Sequence, residues 1–161
     1  MRRPPITMDD INRWKSQGLG QGEPAAYKPW IDVRSFSSKG RVSRAPGVTT
    51  GREHHLLSDN EDNFCLIADY AKSVVDIREQ FPLLPEEHTQ RIAGHLGICH
   101  PRYPNSKTMM VMTTDFLLTI IDDHGKHSFI AVSSRSSAGP TNEEWTWAVA
   151  SNILHATQYP D

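Results

Sequence analysis

Residues 113–137 read TTDFLLTIIDDHGKHSFIAVSSRSS, and this stretch limits what the chain can become more than any other. Residues 109–121 are rich in apolar and β-branched side chains and predict a long strand. Residues 122–127 are polar and contain Gly125, so the chain turns there. Residues 128–132 return as a second strand. One carboxylate, Asp115, stands at the mouth of the first strand. The second strand stops in a run of small hydroxyl residues.

Upstream, Ser58 is followed three residues later by Glu61, ahead of an apolar run. That is capping-box spacing. Phe64, Ile67, Ala68 and Ala71 then recur at helical spacing and predict a helix over 59–71. Residues 74–81 (VVDIREQF) predict a strand. Alternation puts Val75, Ile77 and Glu79 on one face and Val74, Asp76, Arg78 and Gln80 on the other. Pro82 and Pro85 end it, and residues 86–96 predict a second helix.

Thr7 can cap a short helix over 7–17, with Asp9 and Asp10 where the helix dipole favours acids. Residues 30–36 alternate as an edge strand would, and 37–52 read as a basic loop or arm. Asn142 is a candidate cap for a last helix over 142–157. Helices and strands interleave, so the fold class expected is mixed α/β. Phe64, Ile67, Val75, Ile77, Phe116, Leu118 and Ile120 are the expected core, and Tyr27 and Trp30 read as packing residues.

The net charge of −2 conceals an asymmetry. Residues 1–55 carry ten Lys or Arg against five Asp or Glu, and residues 56–161 carry seven against fourteen. A basic arm on an acidic body suits either a polyanion-binding face or a solvated terminus. No apolar run approaches the roughly 20 residues of a membrane span. The arginines at positions 2 and 3 precede prolines and polar residues, so no secretory leader is expected. Cys65 and Cys99 are expected as ordinary thiols. Cys99-His100 lacks the second pair that a zinc site needs.

Glu61 on a helix and Asp115 on a strand form a pattern that suits Mg²⁺. This ion takes one or two carboxylates and fills its shell with waters and substrate phosphates. Bound there, it would polarise a phosphodiester and activate water. The structural alternatives are a capping role for Glu61, reaching back to the Ser58 N–H, and a loop cap or surface ion pair for Asp115.

The run GREHHLLSDNEDNFCLIADYAKSVVDIREQFPLLP resembles TnsA, the endonuclease subunit of heteromeric bacterial transposases. GLGQGEPAAYKPWIDV, KGRVSR and GHLGICHPRYPNSKTMMVMTTDFLLTI resemble it too, and the likeness runs nearly collinearly over about residues 12–132. It implies a restriction-endonuclease-like α/β fold, a mixed sheet flanked by helices. It implies a Mg²⁺-dependent nuclease, with Mn²⁺ as a substitute ion, that cuts the 5′ ends of a transposon. DNA, a TnsB-like transposase and a TnsC-like ATPase are the implied partners, in the bacterial cytoplasm, with no membrane. The family's helix Glu falls on Glu61 and its strand Asp on Asp115, as catalytic and metal-holding residues.

The family's Gln-x-Lys falls on Ala131-Val132-Ser133, where neither functional residue is present. Ala cannot coordinate a metal or orient water, and Ser brings no positive charge. Lys126 and Arg135 are the nearest bases. Residues 133–161 also depart from the family pattern. A frame shift of NILHATQYP can encode Tyr-Tyr-Thr-Arg-Arg-Asn-Ile-Pro, which resembles the family's continuation. The expected organisation is an N-terminal helix and basic arm over 1–55, a nuclease core over 56–132 and a divergent tail over 133–161, without the family's C-terminal domain. Arg41, Arg44, Arg52 and His54 are the expected DNA contacts. The expected function is an endonuclease subunit, inactive here if Ala131 and Ser133 disable it. The alternatives are a non-catalytic DNA-binding or transposase-assembly subunit, or a frameshifted remnant.

Overall fold

The computed structural model describes residues 4–22, 24–31 and 41–133. In chain order they form α1 (Met8–Ser16), a 3₁₀ turn (Pro24–Ala26), β1 (Ser43–Pro46), β2 (Glu53–Leu56) and α2 (Asp59–Tyr70). Then follow β3 (Val74–Pro82), α3 (Glu86–His95), β4 (Thr113–Ile121) and β5 (His127–Val132). Strands β1 and β2 pair antiparallel, and β3, β4 and β5 form an antiparallel sheet in that order. This mixed α/β architecture is consistent with a restriction-endonuclease-like fold.

Local chemistry sets the helix starts. The Thr7 hydroxyl accepts from the Asp10 N–H, and the Asp10 carboxylate accepts from the Thr7 N–H. The Ser58 hydroxyl accepts from the Glu61 N–H at 3.2 Å and caps α2. Ser58→Ala is expected to cost about 1 kcal/mol, read as a lower midpoint in urea unfolding. An unchanged midpoint would contradict that capping role.

The main core lies where α2 meets the three-stranded sheet. Leu56, Cys65, Ala68, Val74, Ile77, Phe116 and Leu118 are buried together, with Phe64 and Ile120 packed against them. The Phe64 and Phe116 rings lie 5.0 Å apart. Phe116, Ile77 and Leu56 are fully buried. Burying each contributes about 1.5–3 kcal/mol. A second cluster joins Ile11, Trp30 and Val111, where Trp14 meets Trp30 edge-on at 5.8 Å. The Cys65 thiol is free, and burial pushes it up to about 12, which suppresses the reactive thiolate.

Four expectations change. Ile67 is 70% exposed and Val75 37% exposed, so neither is core. An irregularity between Val74 and Asp76 shifts the β3 register, sending Val74 and Ile77 inward and Val75 outward. The basic stretch expected as a loop contains β1, and its Ala45 packs against the main core. The strand expected from Met109 begins at Thr113; Met109 makes only a single bridge, to Arg102. Trp30 and Ile31 lie outside any strand, and 32–36 fall outside the described residues. So do Arg135 and the helix expected over 142–157.

Candidate catalytic site

Helix α2 delivers Glu61 in its first turn, where it is 6% exposed. Its Oε2 accepts from the Leu57 N–H at 2.9 Å and from the Gln80 amide Nε2 at 3.1 Å. Its Oε1 accepts from the Ser58 hydroxyl at 3.1 Å. The capping partner is therefore the Ser58 side chain and the Leu57 backbone, not the Ser58 N–H. Burial raises the Glu61 carboxyl above its ordinary range. The Leu57 N–H draws it back, and the negative charge of Asp115 raises it again.

The sheet register explains how Asp115 comes close. Glu79 faces Phe116 and Phe81 faces Thr114, so Gln80 falls level with Asp115. Phe116 faces Val132, so Ser133 falls level with Asp115 on the other side. Gln80, Asp115 and Ser133 thus share one row across β3, β4 and the end of β5. Adjacent strands lie about 4.8 Å apart, which keeps such a row within reach of one small ligand. The Ser133 hydroxyl donates to Asp115 Oδ2 at 3.2 Å. Ala131 stands opposite Leu117.

The structure thus sets the two expected acids within electrostatic reach of each other, with Ser133, where Lys was expected from the resemblance, bonded to Asp115. Two carboxylates supply hard oxygen donors of the kind that Mg²⁺ takes, leaving room for waters and phosphate oxygens. No cluster of three or more His, Cys, Asp or Glu occurs among the described residues, so a cation here would depend on such outside ligands.

Arg52 and His54, expected at a DNA backbone, are turned inward onto Glu79. The Arg52 guanidinium grips Glu79 with both Nη atoms, at 2.7 and 2.5 Å, and donates to the Ile77 carbonyl. It lies 5.0 Å from the centre of the Tyr27 ring. His54 Nδ1 is 2.9 Å from Glu79 Oε2, and its Nε2 is 3.0 Å from the Thr50 hydroxyl. Burial pushes the Glu79 carboxyl up, but Arg52 and His54 outweigh it and hold it down to about 2. The Arg52 donors are spent on Glu79 and on the Pro24 and Ile77 carbonyls, and His54 is engaged by Glu79 and Thr50. Arg41 and Arg44 remain at the surface, near Asp59 at 3.9 Å and Glu53 at 3.2 Å.

Gln80 was not a candidate from sequence, since strand alternation alone gives it no role. A polar residue one position past a buried charge, level with Asp115, is a signal that becomes visible only with the register.

The mixed α/β fold is consistent with a restriction-endonuclease-like domain, and sequence comparison supplies its class. The family described as TnsA-like endonuclease N terminal matches residues 71–157. The chain belongs to this family. The transposon Tn7 transposition protein TnsA of Escherichia coli is 41% identical over 133 residues, covering 83% of this chain and 47% of that protein. The chain therefore spans about half the length of the curated relative it matches. The family match contains Asp115, Ala131 and Ser133 and leaves Glu61 to its N-terminal side.

Proposed function

We propose that this chain is the nuclease subunit of a cut-and-paste transposition system, cutting 5′ ends of the element, with residues 56–132 as its core. The observation that carries this is the acid pair. Glu61 is held by three donors beside the charge of Asp115, in a chain of the TnsA-like family. Glu61 and Asp115 would hold Mg²⁺, or Mn²⁺ in its place, which supplies charge neutralisation and water activation when bound. The chain's own contribution is to fix two carboxylates near each other and to shelter Glu61 from solvent. Arg41 and Arg44 are proposed as contacts to the DNA backbone, and TnsB-like and TnsC-like proteins as partners in the cytoplasm.

A second reading is favoured by one observation. Ser133 occupies the row beside Asp115 where the family carries Lys, and it brings no charge. Without that charge the chain would serve as a DNA-binding or assembly subunit. Plasmid nicking with Mg²⁺ or Mn²⁺, alone and with the TnsB-like partner, separates the two. Nicking that falls at least tenfold in Asp115→Ala supports the nuclease. DNA retention without nicking in any combination supports the assembly role and overturns the nuclease.

A further inference from the structure

We infer that Gln80 is a positioning residue, whose amide holds the Glu61 carboxylate in place beside Asp115 for a divalent cation. The inference rests on the reading of Glu61 and Asp115 as a cation-holding pair, and it deepens that reading.

Gln80 is 3% exposed, and its Nε2 donates to Glu61 Oε2 at 3.1 Å. Its backbone is left-handed, with φ of 48° near the end of β3. For a residue with a Cβ that conformation costs on the order of 1 kcal/mol or more and persists only where the surroundings impose it. The surroundings do so from both sides. The Gln80 carbonyl accepts from the Trp30 N–H at 3.2 Å, and Trp30 is itself buried. The preceding residue, Glu79, is locked by Arg52 and His54.

The strain has a geometric result. By alternation Gln80 belongs with Asp76 and Arg78, away from the side of Ile77. Its amide nevertheless meets Glu61, on the helix that packs against Ile77 and Phe116. The left-handed turn at Gln80 makes that reach possible while keeping the residue level with Asp115.

The residue type also fits. An amide N–H orients a carboxylate without adding charge. Lys or Arg here would neutralise Glu61 and compete with a cation. Glu would repel it. Glycine, the residue that best tolerates positive φ, would lose the donor. A strained glutamine stands where a relaxed glycine would serve the backbone better.

The test uses the full chain and Mn²⁺ alone as probe. Mn²⁺ is titrated while the backbone amide signals of Leu57 and Phe116 are followed by NMR, since a paramagnetic ion at the pair broadens both. Gln80→Gly keeps the backbone conformation and removes the amide. Gln80→Met keeps the length and removes the donor. Partners that orient a metal-binding side chain are typically worth 10–100-fold in affinity. Both variants are expected to weaken Mn²⁺ binding at least tenfold, while Gln80→Gly melts no lower than the unmodified chain. A purely structural role would instead move stability and leave the affinity of folded protein unchanged. Site-specific broadening that Glu61→Ala and Asp115→Ala abolish, with Gln80→Gly within twofold of the original affinity, overturns the positioning role and leaves the acid pair standing. Broadening absent in the unmodified chain, or indifferent to Glu61→Ala and Asp115→Ala, overturns the acid pair and the positioning role together.

Discussion

Replacing Ala131 by Gln and Ser133 by Lys together is expected to raise Mg²⁺-dependent plasmid nicking by about 100-fold. Register is the reason. Val132 faces Phe116, so residue 133 is level with Asp115, and the Ser133 hydroxyl already reaches Asp115 Oδ2 at 3.2 Å. A lysine on the same backbone can bring its ammonium to the same carboxylate edge, where a reacting phosphate would sit. Removing one preorganised charge-stabilising donor from an active site typically costs about 10²–10³ in rate. Restoring one should return an effect of that order. Residue 131 lies on the same strand face as 133 and stands opposite Leu117, so a glutamine there extends beside the new lysine. The substitutions lie at the partly exposed end of β5, so folding should be little affected. Initial nicking rates check this, with Asp115→Ala in the same background as control. A double variant that folds, binds DNA and nicks no faster than the original would show that β5 is not the strand that should carry Gln-x-Lys.

Glu79→Gln is expected to destabilise the chain by about 3 kcal/mol. Breaking a buried ion pair by removing one partner leaves the other charge uncompensated, which costs about 3–5 kcal/mol. Here the stranded groups are the Arg52 guanidinium and the His54 ring. The pH dependence has a definite sign. The Glu79 carboxyl has an ordinary value of 4.5 and is held at about 2 in the fold. A depressed acid stabilises the fold above its unfolded value and loses that contribution as pH falls through its folded one. The contribution is therefore fully present above about pH 5 and disappears toward pH 2. A shift of about 2.5 units at 1.36 kcal/mol per unit is about 3 kcal/mol. Urea unfolding between pH 7 and pH 2.5 reads both effects. The original chain should weaken steeply at acid pH, and Glu79→Gln should start weaker and fall less. A variant within 1 kcal/mol of the original at pH 7 would mean that the buried network is energetically neutral.

Much of the fold is legible from local pattern. Ser58 and Glu61 announce the start of α2, Thr7 the start of α1, and Gly125 the β4–β5 turn. These signals act within a few residues, so the sequence displays them directly. Val75 misleads because one irregularity in β3 reverses alternation, and no residue type marks its place. Ile67 misleads because helical spacing identifies a face but not what covers it. Arg52 and His54 look like surface bases because their partner, Glu79, lies 25 or more residues away along the chain.

By itself the sequence determined the family and the α/β class, and it pointed to Glu61, Asp115 and the Ala131 and Ser133 positions as the candidate site. Each is a matter of residue type and spacing along the chain. Tertiary structure alone decided that Gln80, Asp115 and Ser133 share one row, that Glu61 is clasped by Gln80, and that two of four expected DNA-binding bases turn inward onto Glu79. Those facts depend on strand register and on a left-handed backbone at one residue. Both are settled by packing between distant segments, which local sequence does not encode.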